Sequence, residues 1–302
     1  MNNLILLILC FIIGIVLRHF KRMPDNAPAT LNGFVIHVSL PALTLLYIHD
    51  LKFSSDMLLV ALMGWLLFGL SAGFFWLIGR WLKLPRATVG TLILLGGLAN
   101  TSYFGLPMVE AYYGTTGLAT AIVADQLGSF FALMILGISV AGIYASDKLP
   151  TVTQIFKRIV LFPPFIALLI ALLMIPFDYP EWLTVLLERL GNTLAPLALL
   201  SVGLQLHFGH LAGNGRNLAI GLLFKLILAP LAILLLYVPL LGAQGQAIQV
   251  TIFEAAMPPM ITAAIVATEH KLDTELANLM VAIGLLLSFI TLSAWWFVMR
   301  GI

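Results

Sequence analysis

Asp125, Lys225 and Glu254 are among the ionisable residues inside long apolar stretches of this sequence. A charged side chain at the centre of a lipid bilayer costs about 2.5–3.5 kcal/mol on insertion scales, so each is a candidate for function. Glu254 could bind a sodium ion or carry a proton, and Asp125, with Gln126 beside it, could join the same site. Lys225 could pair with a protein carboxylate or with that of a substrate. A purely structural role is the alternative for each.

A second candidate site is a polar stretch with a proline, residues 100–107, inside an otherwise apolar segment. A helix in lipid must satisfy its backbone hydrogen bonds internally, whereas Pro107 removes one donor and clashes with the preceding turn. The stretch therefore predicts a broken helix whose freed amides and helix dipoles suit a carboxylate. The expected lining residues are Asn100, Thr101, Ser102, Tyr103, Gly105 and Pro107. A kinked helix without a binding role is the alternative.

A matching break is predicted in the second half of the chain. Pro258 follows Pro107 by 151 positions, which is half of the 302 residues, and Pro196 follows Pro41 by 155. Interrupted helices at corresponding places in two halves are the best sequence indication of a transporter's binding site. The residues expected to line the site from these other segments are Met257, Pro258, Pro259, Pro41 and Pro196.

Composition restricts the chain to the class of polytopic membrane proteins. Hydrophobic residues make up 61% and charged residues 9%, with a mean hydropathy of +1.08, whereas soluble domains are about 45–50% apolar and 25% charged. A single cysteine, Cys10, excludes an internal disulfide and offers no metal cluster. Zinc-protease and nucleotide-binding motifs are absent from the sequence, so we expect no enzyme, and pumping would need a partner.

Apolar runs long enough to span a bilayer predict ten transmembrane helices. We place them near residues 3–20, 30–49, 57–82, 88–111, 116–143, 159–176, 181–206, 217–241, 245–268 and 275–299. In this layout eleven of the fifteen Lys and Arg lie in loops on one side, and only Lys52 and Arg300 on the other. The positive-inside rule then predicts both termini outside the cytoplasm. Five spans per half is an odd number, so the second half is expected to be inverted relative to the first.

These motifs resemble those of the auxin efflux carrier family, within the bile acid/arsenite/riboflavin transporter superfamily. They are Ser-Leu-Pro-Ala-Leu at 39–43, the stretch from Asn100 to Pro107, and Met257-Pro258. The resemblance implies a bacterial-type carrier of small organic anions. It also implies a scaffold of helices one, two, six and seven, and a moving transport unit of helices three to five and eight to ten. Helices four and nine would be broken and would cross. The superfamily further suggests sodium for the acidic residue near this crossing.

The sequence as a whole predicts an all-α polytopic membrane protein with a 5+5 inverted-topology repeat. Its parts are a first repeat at 1–145, a cytoplasmic linker at 146–158 and a second repeat at 159–302. The expected function is secondary active transport of a small organic anion, such as malonate or an auxin-like weak acid, by an elevator mechanism. Na⁺ or H⁺ is the expected coupling ion, with no other cofactor or metal; a uniporter or a channel for organic anions is the alternative.

The expected partners are the anion and the lipid bilayer, with no nucleic acid. Both dimers and monomers occur in the superfamily, so a homodimer is an open alternative. The expected location is a bacterial inner membrane, with both termini periplasmic.

Overall fold

The computed structural model describes residues 2–49, 51, 56–145, 151–205 and 214–302, and this part of the chain is helical. Its one feature of β type is an isolated antiparallel bridge between Ala99 and Pro259. Lys52 and residues 146–150 of the predicted linker lie outside the described residues.

Seventeen α-helices are present in the described part. They are α1 (Asn2–His19), α2 (Ala27–Phe34), α3 (Leu40–His49), α4 (Asp56–Trp81), α5 (Arg86–Gly97), α6 (Leu106–Tyr113), α7 (Leu118–Val123), α8 (Ile138–Ala145), α9 (Val152–Val160), α10 (Pro163–Met174), α11 (Glu181–Gly191), α12 (Leu194–Gln205), α13 (Gly215–Leu223), α14 (Ala229–Leu235), α15 (Gln246–Ala255), α16 (Ile261–Glu269) and α17 (Thr274–Met299). Wider π-helical segments join several of them: Val35–Ser39, Thr101–Gly105, Ala124–Phe130, Leu133–Gly137, Phe224–Leu228 and Leu236–Leu240. A short 3₁₀ turn covers Thr115–Gly117.

Six helical stretches of the described residues are long and apolar enough to cross a membrane, and a seventh results if the bent pair α9–α10 is counted as one span. The six are Ala27–His49, Asp56–Trp81, Thr115–Ala145, Glu181–Gln205, Gly215–Leu240 and Thr274–Met299. Each lies within three residues of a predicted span. The predicted total of ten is not established, because the predicted spans 88–111 and 245–268 are broken helices and the one near 3–20 has a short apolar part, Ile5–His19.

The chain divides into two compact units. Unit 1 contains residues 1–54, 102–122 and 157–206. In this unit α1 packs against α12, and α3 packs against α10 and α11. The α1–α12 contact requires glycine on both sides: a Cβ on Gly14 would lie 2.4 Å from the carbonyl oxygen of Leu200, and one on Gly203 would lie 2.3 Å from that of Phe11.

Unit 2 contains residues 55–101, 123–156 and 207–302. The long helix α4 packs against α5, α15 and the π-helical segment 124–130. Indole N–H groups satisfy carbonyls of two π-helical segments: Trp65 donates to Leu127 at 3.0 Å, and Trp295 donates to Leu226 at 2.9 Å. Because a π-helical turn disturbs the regular bonding of the helix, such side-chain donors allow it to persist in an apolar environment.

Candidate functional site

Two interrupted helices of unit 2 meet at their gaps. Helix α5 ends at Gly97 and α15 ends at Ala255, and the chain is not α-helical between α15 and α16. The N–H of Asn100 donates to the carbonyl of Pro258 at 2.9 Å, and the N–H of Met260 donates to that of Leu98 at 3.0 Å. Each gap therefore satisfies backbone groups of the other, as burial in lipid or protein requires.

The tandem prolines explain why α15 stops where it does. A residue before proline disfavours the α conformation, and each proline lacks the N–H that a helix would use. Pro259 lies opposite Ala99 at the position of the bridge where neither residue bonds the other. A residue without an N–H fits this position without loss of a hydrogen bond.

The break in the first half begins nearer the N-terminus than Pro107 indicated. Leu98 is extended, with φ −111° and ψ 120°, and the chain is helical again from Thr101 as a π-helical segment that continues into α6. Pro107 lies in the first turn of α6 and is buried. Proline is tolerated in this position because the first amides of a helix have no partner within it.

A buried polar cluster surrounds the paired gaps. Glu254 and Lys225 have no exposed surface, and Asp125, Asn100 and Thr101 are at most 2% exposed. The hydroxyl of Thr101 donates to Oδ1 of Asp125 at 2.5 Å. Glu254 is close enough to Asp125 and Lys225 to interact with both electrostatically. The structure thus brings together the three ionisable residues and the first two residues of the polar stretch.

Lys225 is bonded to the end of a broken helix. Its Nζ donates to the carbonyl oxygen of Ala255, the last residue of α15, at 3.0 Å. The carbonyl end of a helix carries a partial negative charge, so an ammonium group there stabilises it. Lys225 therefore stabilises the gap itself, which the sequence alone did not indicate.

Two polar groups of this cluster have no hydrogen-bond partner in the described part of the protein. They are both carboxylate oxygens of Glu254 and the amide nitrogen Nδ2 of Asn100. Unpartnered buried groups are rare in proteins and require an explanation, one of which is an absent ion or ligand. The amide can donate to an anion, and the carboxylate can accept a proton or coordinate a cation. A group of three or more His, Cys, Asp or Glu side chains suited to a metal ion is not found among the described residues.

Three residues of the cluster share an unusual backbone. Thr101, Asp125 and Lys225 each lie on a π-helical segment, on three different stretches of the chain. Single π-helical turns inside α-helices occur frequently at functional sites. A polar residue inside a strongly apolar run was the only sequence signal for these positions.

The other predicted site residues are distributed between the units. Gln126, Met257, Pro258 and Pro259 are buried in unit 2. The remainder belong to unit 1: Ser102, Tyr103, Gly105, Pro107, Pro41 and Pro196.

Pro41 and Pro196 each follow an irregular turn of their helix. In unit 1 these turns meet through side chains, since the hydroxyls of Ser39 and Thr193 lie 2.7 Å apart. Sequence reasoning did not identify this pair, although the two residues are adjacent to the matched prolines.

Comparison with known proteins bears on the class of molecule. A family model described as "Membrane transport protein" matches residues 1–296. The chain belongs to this membrane transport protein family. The match confirms the resemblance to auxin efflux carriers that the motifs indicated.

Two similar proteins of the family come from archaea. An uncharacterized transporter of Methanothermobacter thermautotrophicus is 28% identical over 288 residues, covering 94% of this chain and 93% of the relative. An uncharacterized transporter of Methanocaldococcus jannaschii is 27% identical over 314 residues, covering 98% and 97%.

Membership of the membrane transport protein family identifies the chain as a membrane transporter. The cluster in unit 2 combines a neutral donor, acidic and basic side chains, and a carboxyl group without a hydrogen-bond partner among the described residues.

Proposed function

We propose that this protein is a secondary active transporter of a small organic anion, such as malonate or another weak carboxylic acid, driven by Na⁺ or H⁺. The observation that supports this most is the pair of helix gaps in unit 2. Next to them, the Asn100 amide nitrogen and the Glu254 carboxyl have no hydrogen-bond partner in the part of the chain that the structure describes. A gap of this kind takes backbone groups out of regular helical bonding within the membrane, which is tolerated where they are buried in protein or line a binding cavity.

The anion would bind where hydrogen-bond donors collect. Asn100 offers its Nδ2, and α16 begins directly after the gap at Ile261, so its first amides and the positive end of its dipole face the gap. Beside Asn100, the hydroxyl of Thr101 is a further polar group, and it donates to the carboxyl of Asp125. A carboxylate is the substrate group that such donors favour.

Coupling to a cation follows from the charges of the cluster. With Asp125 and Glu254 ionised and Lys225 protonated, the three carry a net charge of −1, and an anionic substrate would add to it. One Na⁺ or H⁺ at Glu254 would return the protein cluster to neutrality, which lowers the cost of burying it. The driving ion and the anion would then move together.

An elevator motion is the mechanism that we propose, with unit 2 as the transport unit and unit 1 as the scaffold. The division of the chain supports it, because unit 1 holds the first two helical regions of each half. In a ten-helix 5+5 inverted repeat, α1 corresponds to α10 and α3 corresponds to α12. The packing of α1 on α12 and of α3 on α10 then forms an equivalent pair of contacts, which supports the repeat. Residues 102–122, in the first half of the chain, would belong to the scaffold.

Uptake of radiolabelled carboxylates into proteoliposomes, with sodium and pH gradients imposed separately, tests this proposal. We expect saturable uptake that one of the two gradients drives and that unlabelled substrate inside the vesicles accelerates. Uptake that neither saturates nor responds to internal substrate would indicate a channel, and saturable uptake without dependence on either gradient would indicate a uniporter.

Glu254→Gln sharpens the same experiment. The variant keeps the shape of the side chain and removes its charge, so gradient-driven uptake should fall to background while the protein still folds. Glu275→Gln, at an exposed position in the first turn of α17, is the matched control and should transport normally. Coupled uptake that survives in Glu254→Gln would exclude Glu254 as the ion site.

A further inference from the structure

The short helix α9 has a completely segregated surface. Its apolar residues fall within an arc of about 140° when placed at 3.6 residues per turn, and its polar residues fill the rest. The apolar residues are Val152, Ile155, Phe156, Ile159 and Val160, and the polar ones are Thr153, Gln154, Lys157 and Arg158. Such a pattern is typical of a helix with two different environments.

The protein covers only a small part of the apolar face. Ile159 is buried, but Val152 is 83% exposed and Phe156 is 66% exposed. Lys157 and Arg158 are exposed on the opposite face. Something other than the described part of this chain must therefore cover Val152 and Phe156 if they are to leave water.

The connection to α10 restricts where α9 can lie. Only Leu161 and Phe162 separate the two helices, and their axes differ in direction by 63°. The apolar helix α10 is part of a membrane protein, and spanning helices tilt by about 20° on average from the bilayer normal. With α10 at this average tilt, α9 lies between about 43° and 83° from the normal (63° minus or plus 20°), so its axis is oblique or near the membrane plane.

Neither bulk phase suits α9. Two basic residues and two further polar ones in nine would be costly in the hydrocarbon core, and three exposed apolar residues would be unfavourable in water. The membrane–water interface satisfies both faces. Basic residues in this position attract anionic headgroups.

We propose that α9 is an interfacial helix that binds the surface of an anionic bilayer. Val152 and Phe156 enter the acyl-chain boundary, and Lys157 and Arg158 contact lipid phosphates. The chain passes from unit 2 to unit 1 within α9, between Phe156 and Lys157. The proposal is independent of the substrate that is transported.

Spin labels on the full-length protein in vesicles test the depth of both faces. In a Cys10→Ala background, one label is attached at Val152→Cys and another, separately, at Gln154→Cys. Oxygen partitions into lipid and a water-soluble nickel chelate does not, so their collision rates report the environment. We expect the label at position 152 to collide mainly with oxygen and the label at 154 mainly with the chelate. Phosphatidylglycerol added to phosphatidylcholine should move the label at 152 deeper.

Charge recognition is tested with the double variant Lys157→Gln/Arg158→Gln, which should abolish the response to phosphatidylglycerol. Lys21→Gln/Arg22→Gln, an exposed basic pair in the turn after α1, is the matched control and should keep the response.

Three outcomes would overturn the proposal. Equal chelate access at positions 152 and 154 would place α9 in water. Protection of 152 from both reagents, with spin–spin broadening, would show that a second copy covers it. A phosphatidylglycerol response that persists in the Lys157/Arg158 variant would remove the anionic headgroups as the partner.

Discussion

Irregular helices meet in both units, but their polar groups are bonded differently. In unit 1 the Ser39 and Thr193 hydroxyls bond each other, and Thr193 donates onward to the carbonyl of Leu190 at 2.5 Å. In unit 2 the backbones bond each other across the gaps, while Asn100 and Glu254 keep polar atoms that have no hydrogen-bond partner among the described residues. The hydroxyls of the neutral contact in unit 1 are hydrogen-bonded, whereas the charged contact in unit 2 keeps polar atoms available for a ligand.

Charge follows the same division. Of the residues that the structure describes, the buried charged ones are Asp125, Lys225 and Glu254, and all three belong to unit 2. Elsewhere in unit 1 a buried Ser201 is held by neutral partners, with its hydroxyl 2.7 Å from Oδ1 of Asn32. This difference agrees with the proposal that unit 1 is the scaffold and that unit 2 binds the coupling ion.

Loss of the buried ammonium should have the largest effect on stability. Lys225→Met leaves the carbonyl end of α15 and the buried Glu254 carboxyl without their cation, and breaking a buried charge set in this way costs about 3–5 kcal/mol. Thermal unfolding in detergent measures the change. The exposed Lys271→Met in the same unit is the control and should remain within about 0.5 kcal/mol of the parent. A small change at Lys225 would indicate that the cluster is neutral in the folded protein.

Hydroxyl removal compares the two units directly. Thr101→Val removes the donor to the Asp125 carboxyl and should cost about 1.5–3 kcal/mol, as expected for a hydrogen bond to a charged group. Ser39→Ala removes a bond between neutral hydroxyls and should cost about 0.5–1.5 kcal/mol. We expect uptake to fall in the first variant and to persist in the second. Equal losses of uptake would contradict the assignment of ion and substrate binding to unit 2.

Much of this arrangement could be predicted from sequence, because burial in lipid leaves strong local signals. Apolar runs located six spans to within three residues, and the doubled prolines located the second gap. Their position in apolar runs also singled out Asp125, Lys225 and Glu254, which the structure buries in unit 2; their role in transport stays a prediction. These signals depend on short stretches of chain, so no tertiary information was needed to interpret them.

The pairing of the gaps could not be predicted, because it depends on residues far apart in the sequence. Leu98 breaks its helix without a proline, as its carbonyl accepts from Met260 in the other gap. Lys225 was an isolated cation in the sequence, and its bond to Ala255 exists only after α15 has ended there. The position of the first break is thus decided by its partner and not by Pro107.

Replacing Pro107, or Pro258 and Pro259 together, with alanine should change stability least, so transport is the measurement that distinguishes these variants. Alanine is about 3 kcal/mol more favourable than proline within a helix, so Pro258→Ala/Pro259→Ala should let α15 extend into the gap and compete with the bonds to Asn100 and Leu98. Pro107→Ala lies in a first helical turn that tolerates either residue. Uptake normalised to protein level should therefore fall strongly in the double variant and mildly in Pro107→Ala. A larger loss of uptake in Pro107→Ala than in the double variant would show that the functional break lies at Pro107 and that transport does not need the paired gaps.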